Sequence, residues 1–247
     1  MNIRAVIADV YGTLLGVGPA PTDAEARWEF LWEDKLRITA RLSLKEFSAA
    51  CDAVIAREHA AARQHGIQLP EIYWPGVVSE VLPELARLVE AERDEFLYRQ
   101  AQAWHTVRLM PGAPEILRAL AGAGVRAGIA SNAQAYTIRE LDVALAGAGL
   151  SRACFTPDLC FWSCEHGFSK PDPHVFRLLS ARLQRYGIKG VETLMVGDRW
   201  DTDIEPARAQ GWQTWLLTAS PAQTASTAGG WDRLAACLGL PAAPALH

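Results

Sequence analysis

Five apolar residues and one arginine occupy positions 3–8, and they lead without a break to Asp9 and a sharp turn at Gly12. Six residues make too short a run for an ordinary helix, and the turn signal closes it, so it reads as a short buried strand. Gly12 tolerates the left-handed backbone of a tight turn, and Thr13 is expected to hydrogen-bond back to the loop. Asp9 then stands at the carboxyl end of the strand, where open α/β sheets gather their ligands. A turn-capping aspartate would explain Asp9 by itself. The remainder of the chain decides between the two readings.

After Leu15, Gly16-Val-Gly-Pro19 reads as a flexible exit, and residues 17–106 then turn helical and polar with no strand signal. Thr22-Asp-Ala-Glu25 and Ser43-Leu-Lys-Glu46 both match the capping box, in which two orphan donors are satisfied reciprocally. Phe47, Cys51, Val54 and Ile55 follow at helical spacing. Val78, Val81, Leu85, Leu88 and Val89 continue the pattern, with Pro83 kinking or restarting the helix. This stretch predicts a helical bundle inserted between two core elements.

From Val107 helices and strands alternate. Strands are expected at 125–130, 159–162, 193–196 and 213–217, separated by helices through Ile116 and Leu120, through Ile138, Leu141 and Leu145, and through Val175, Leu179 and Leu183. Such alternation implies parallel pairing with right-handed crossovers. The expected fold is therefore α/β: a doubly wound, Rossmann-like parallel sheet. Residues 1–16 and 107–247 would form it, residues 17–106 a helical cap, and residues 241–247 a frayed tail.

A formal net charge of -4 and the lack of a basic run give no reason to expect nucleic acid or a membrane surface as partner. No apolar stretch is long enough to span a bilayer, and no signal-peptide pattern precedes the first strand. The five cysteines are scattered without CxxC spacing, which predicts free thiols in a reducing compartment. A cytoplasmic monomer or homodimer acting on a small molecule is expected.

Three further polar clusters follow strand signals as Asp9 does. Ser131-Asn132 offers a hydroxyl and an amide near a helix start, suited to an anionic oxygen. Lys170 precedes Pro171, and Asp198-Arg-Trp-Asp-Thr-Asp203 brings three acids to the mouth of a strand. Each cluster alone has a structural explanation, as a cap, a solvated lysine or an acidic first turn. Together, on one parallel sheet, they converge on one edge. The order Asp9, Ser131-Asn132, Lys170, Asp198, Asp203 resembles that of the haloacid dehalogenase-like hydrolases from residue 3 to about 217. Asp9-Val-Tyr-Gly-Thr-Leu is similar to the first motif of that superfamily, and Gly197-Asp198-x4-Asp203 to the fourth motif of its phosphatases.

The resemblance implies that Asp9 is the nucleophile and that the insert is a cap hinged near residues 16–19 and 106–111. In the phosphatase branch Asp9 attacks phosphorus, and Mg²⁺ is held by Asp9, the carbonyl of Tyr11 and the acids Asp198 and Asp203. Lys170 offsets charge, and Ser131, with Thr13 and Asn132, contacts the substrate. Most of those phosphatases carry a second Asp where this chain has Tyr11, and that Asp protonates the leaving oxygen and then activates water. Asp-x-Tyr-Gly-Thr is the form usual in the metal-independent 2-haloacid dehalogenases, in which the nucleophile attacks carbon bearing a halogen.

Charge arithmetic favours the first branch. Asp9, Asp198 and Asp203 would share a small volume with Lys170 as the one fixed cation, and like charges that close push a pKa upward. A hard divalent cation such as Mg²⁺ removes the conflict. The expected activity is a Mg²⁺-dependent phosphatase or phosphotransferase on a small phosphorylated metabolite. The alternatives are a 2-haloacid dehalogenase and a degenerate binder of phosphorylated metabolites. Tyr11, with an ordinary pKa near ~10, is a poor base, and loss of a general acid–base costs ~10²–10⁴ in rate. His166 and Asp201 are candidate substitutes, although His166 reads first as a surface loop residue. In the insert, Trp28 and Trp32 are expected to bury, and Arg27, Arg37 and Arg41 to be solvated.

Overall fold

The computed structural model describes residues 2–219 and 227–240, so the expected tail at 241–247 lies outside the described residues. In chain order, β1 (Ala5–Ala8) and β2 (Leu15–Gly18) precede helices α1 (Ala24–Leu36), α2 (Leu44–Gln64), α3 (Trp74–Val81) and α4 (Glu90–Trp104). There follow β3 (Thr106–Leu109), α5 (Ala113–Gly122), β4 (Arg126–Ser131), α6 (Ala135–Gly147), β5 (Cys160–Trp162), α7 (Ser163–His166) and α8 (Pro173–Arg185). The chain closes with β6 (Thr193–Gly197), α9 (Glu205–Ala209), β7 (Gln213–Leu217), β8 (Ala228–Gly229) and α10 (Trp231–Leu238).

Six of these strands form one parallel sheet in the order β5-β4-β1-β6-β7-β8. The pattern of β1 shows why it lies inside. Its four residues are all buried, and they alternate between two cores. Val6 and Ala8 pack with Ile116, Leu117, Leu141, Leu145 and Leu234 of α5, α6 and α10. Ala5 and Ile7 pack with Val175, Phe176, Leu179 and Leu183 of α8. A strand buried on both faces belongs in the middle of a parallel sheet. Each fully buried aliphatic side chain there contributes roughly 1.5–3 kcal/mol. The chain leaves β1 toward β4 and β5 on one side and returns through β6, β7 and β8 on the other. Residue 9 therefore sits at the switch point.

Helices α1 to α4 bury a separate core. Trp28 and Trp32 are fully buried in it, as their spacing suggested. Trp28 lies against Phe47 with ring centroids 4.7 Å apart, and Phe47 stacks on Trp104 at 5.7 Å. Ser43 and Glu46 form the expected capping box. Thr22 and Glu25 do not: Asp23 precedes α1 without a side-chain cap, and Glu25 accepts from the Leu44 amide at 3.0 Å. The carboxylate thus serves an orphan donor of the next helix instead of its own. Val89 is exposed rather than part of the core. Pro83 restarts the chain as a 3₁₀ turn, Pro83–Arg87.

The largest correction concerns residues 16–19. They are no flexible exit, for β2 pairs antiparallel with β3, Val17 opposite Val107. Two glycines in four residues mute a strand signal, and the partner lies beyond the whole insert. Entry and exit of the helical segment are therefore tied together. Further ties run from α6 to the insert. Arg139 pairs with Glu95 at 2.6 Å, and Gln134 Nε2 donates to Glu71 Oε1 and to the Ile72 carbonyl, each at 2.9 Å. All five cysteines are free. Among the described residues no helix is long and apolar enough to cross a membrane.

Candidate active site

The turn after β1 is built from its own backbone. The Gly12 amide donates to the Leu15 carbonyl at 2.7 Å, and the amides of Leu14 and Leu15 both donate to the Val10 carbonyl at 2.8 Å. Gly12 has φ +78°, and a Cβ built there would lie 2.2 Å from Asp198 Oδ2. Only glycine lets the turn after Asp9 close on that carboxylate. Gly197 makes the same room for Asp203, whose Oδ2 would lie 2.3 Å from an added Cβ. Gly12→Ala is expected to cost about 1–3 kcal/mol through the disfavoured φ and to displace Asp198 besides. Thermal denaturation measures the loss, and an unchanged midpoint would show that the loop relaxes freely.

A cavity of about 420 Å³ opens at the carboxyl ends of the strands. Asp9, Tyr11, Ser131, Asn132, Lys170 and Asp198 all line it, so one edge does gather the four clusters. Asp203 lies beneath, fully buried in the π-helical turn Trp200–Ile204 that follows β6. The buried Lys170 ammonium donates to Asp9 Oδ1 at 2.8 Å and to Asp203 Oδ1 at 2.5 Å. Burial disfavours that charge, but Asp9 and Asp203 outweigh it and hold the lysine above its ordinary pKa. The other oxygen of Asp203 accepts from the Arg199 amide at 3.1 Å.

One oxygen from each of Asp9, Asp198 and Asp203 lies within 4.8 Å of the others. Asp198 and Asp203 both show the strain of this crowding. Burial, then the charge of Asp203, raises the carboxyl of Asp198. Burial raises that of Asp203 too, opposed by Lys170 and reinforced by Asp9. One lysine does not offset three acids. The donor set is hard oxygen and net negative, which fits a hard divalent cation.

Asn132 lines the cavity but spends its amide on Lys170. Its Nδ2 donates to the Lys170 carbonyl at 2.8 Å, and its Oδ1 accepts from the Lys170 amide at 2.7 Å. Thr13 departs from expectation. Its hydroxyl is buried without a hydrogen-bond partner, so it does not tie the loop, while its carbonyl accepts from Trp231 Nε1 at 3.0 Å. His166 stacks on Phe161 at 4.4 Å and its Nδ1 meets the Trp162 carbonyl at 2.9 Å, outside the cavity lining. Asp201 is exposed and paired with Arg199 at 2.8 Å. Neither stands in for an acid–base group. Arg27 and Arg41 form exposed pairs with Asp23 and Glu84, and Arg37 closes α1 with φ +59°.

Tyr11 holds the chief surprise. Its hydroxyl donates to Glu140 Oε2 at 2.5 Å, and Glu140 Oε1 lies 3.0 Å from His105 Nε2. Burial, then the charge of Glu140, pushes the phenol far above its usual range, so it stays a donor. Neither Glu140 nor His105 stood out in the sequence, although a glutamate one turn beyond Thr137 on an otherwise apolar helix stripe is a signal. Val17 and Arg199 also line the cavity without having been singled out.

Comparison with solved structures places this geometry in a familiar setting. The chain is similar to the 2-haloacid dehalogenase of Pseudomonas syringae pv. Tomato DC3000, at 20% identity and TM-score 0.60 over 96% of this chain and 97% of that one. It is similar to YfnB, a HAD-hydrolase of Bacillus subtilis bound to magnesium, at 22% identity and TM-score 0.54 over 97% and 100% of the two chains. It is also similar to a HAD phosphatase of Thermococcus onnurineus, at 18% identity and TM-score 0.51 over 97% and 100%. At such identities these likenesses speak for the fold. A search of curated proteins finds no match. The model of the haloacid dehalogenase-like hydrolases, however, matches residues 3–211, from the strand before Asp9 to beyond the turn that carries Asp203. The chain thus belongs to the haloacid dehalogenase-like hydrolases.

Proposed function

We propose that the protein is a Mg²⁺-dependent phosphatase or phosphotransferase that uses Asp9 as nucleophile on a small phosphorylated metabolite. The supporting observation is the group of Asp9, Asp198 and Asp203 within 4.8 Å around a single lysine. Residues 17–106 would act as a cap over a core of residues 1–16 and 107–247, and the choice of substrate would lie there. The free cysteines suit a reducing compartment, and we place the enzyme in the cytoplasm as a monomer or homodimer. Asp9, Asp203 and the Tyr11 carbonyl would hold Mg²⁺, with Asp198 as a direct or water-mediated ligand. Bound there, the ion offsets the charge of the carboxylates and of the phosphoryl oxygens.

The reaction runs through the side chain of Asp9. A carboxylate oxygen forms a bond to phosphorus, and the bond from phosphorus to the leaving oxygen breaks, with the electron pair departing on that oxygen. Water then attacks phosphorus of the aspartyl phosphate, releasing phosphate and restoring the carboxylate. Lys170 orients Asp9 through the hydrogen bond to its Oδ1, and Ser131 contacts a phosphoryl oxygen. Tyr11 supplies no proton in either step, because its hydroxyl is committed to Glu140. The leaving oxygen takes its proton from solvent, so esters with good leaving groups are favoured.

Phosphate release from an aryl phosphate, titrated with Mg²⁺, tests this reading. Release that rises with Mg²⁺ supports it. Metal-independent halide release from a 2-haloacid, with no phosphate release, would replace it by the dehalogenase reading, which Tyr11 itself favours. Calorimetric Mg²⁺ binding without turnover of either substrate would leave a binder of phosphorylated metabolites. Tyr11→Asp sharpens the test. Restoring an acid–base group should raise the ratio of alkyl to aryl phosphate turnover by ~10²-fold or more, because protonation matters most for a strongly basic leaving oxygen, whereas loss of the Tyr11 hydroxyl bond acts on both substrates alike.

A further inference from the structure

Glu140 lies on α6, outside the cavity, and is 1% exposed. A buried carboxylate is costly unless its oxygens are satisfied. Here each oxygen has one partner. Oε2 accepts from the Tyr11 hydroxyl, two residues beyond Asp9, and Oε1 faces His105 Nε2. The rings of Tyr11 and His105 meet edge to face at 5.7 Å.

The three residues come from three places. Tyr11 belongs to the nucleophile turn, and Glu140 belongs to the core helix that also pairs with the insert through Arg139 and Glu95. His105 is the single residue between α4 and β3, where the helical insert rejoins the core. β3 in turn pairs with β2, which leaves the nucleophile turn at Leu15. The loop is therefore closed mechanically: turn, β2, β3, His105, Glu140, Tyr11, turn.

We propose that Glu140 is a positioning residue, which holds Tyr11 and His105 together and thereby couples the nucleophile turn to the junction of the helical insert. The function of this coupling rests on Asp9 being the reacting group of the proposed reaction. Rotation of the insert about β2 and β3 displaces His105 and loads the Tyr11 turn through Glu140. In this chain the side chain at position 11 serves as one anchor of a brace.

The test uses Glu140→Ala, Tyr11→Phe and His105→Ala in the full chain and has two arms. In the first, hydrogen exchange is followed by mass spectrometry at residues 9–18 and 105–109 against the rest of the sheet. The brace requires faster exchange confined to those two segments in Glu140→Ala, and in both segments for each partner variant. Exchange that rises uniformly with lowered global stability, or in one segment only, overturns it. Should Glu140→Ala fail to fold, the two partner variants decide alone by the same criterion. In the second arm, turnover of p-nitrophenyl phosphate with Mg²⁺ is expected to fall by ~10²-fold in Glu140→Ala with KM changed less than about twofold, the pattern of a misplaced reacting group. Loss expressed in KM alone overturns the positioning role. A protein without phosphatase activity would remove the proposed reaction, while the exchange arm would still decide on the brace.

Discussion

Asp9→Asn is expected to abolish turnover, by about 10⁴-fold or more, while the protein stays folded. Removing a covalent nucleophile takes away a step that no neighbour replaces, and losses of that scale are usual when one is deleted. The site offers no substitute. Asp203 is fully buried beneath the cavity, and Asp198 is packed against the turn at Gly12. The amide is nearly isosteric, and Lys170 keeps its bond to Asp203. One of three crowded carboxylates disappears, which relieves Asp203 of a charge that now raises its carboxyl. The apo variant should therefore melt no lower than the parent. Single-turnover assays and thermal denaturation measure the two effects. Appreciable residual phosphate release in a freshly purified variant would show that the nucleophile has been misassigned; a large fall in melting temperature would show that Asp9 is chiefly structural.

How far this site could be read from the sequence depended on the range of the interactions that build it. Asp9 at the end of β1, Lys170 before α8 and Asp198 after β6 were legible because each follows a strand whose apolar run is local. The parallel sheet followed from the alternation of those runs with helices. The hairpin of β2 and β3 was not legible, since Gly16 and Gly18 lack side chains to mark a strand and their partners, Arg108 and Thr106, are 92 and 88 residues distant. Two-residue β8 has no periodicity to detect. The brace around Glu140 joins residues 129 and 35 positions apart, and nothing near Tyr11 announces where its hydroxyl goes. Asn132 lines the cavity, but the partner of its amide was not legible. An amide that could meet an anionic oxygen is taken up by the backbone of Lys170, a pairing that only the folded chain brings about.

Lys170→Met should produce the largest loss of stability of any single change at this site. The side chains of Lys170, Asp203 and Asp9 are 2%, 1% and 13% exposed, so water screens the pair bonds little. Methionine keeps much of the volume and removes the charge. Breaking a buried ion pair by deleting one partner costs about 3–5 kcal/mol, which for a chain of this size is a fall of roughly 6–20 °C in melting temperature. The sign of the pH dependence separates this cause from a simple packing defect. Lys170 is held above its ordinary value, so in the parent its contribution is fully present below the unfolded lysine pKa and is constant across the neutral range. In the variant, Asp203 loses the cation that opposes its upward shift. A carboxyl raised in the folded state binds more protons folded than unfolded, and stability then falls as pH rises. The deficit against the parent should be largest at neutral pH and above and should shrink on acidification toward the carboxylate range. Mg²⁺ should narrow it at neutral pH, because the variant's acids have lost their fixed cation and hold the ion more tightly than the parent's, and tighter binding to the folded state adds more stability by mass action. Melting curves of both proteins at about pH 5 and about pH 8, with and without Mg²⁺, give the four differences. A deficit that is the same at both pH values would mean that the lysine stem, not the ammonium between two acids, holds this corner of the fold.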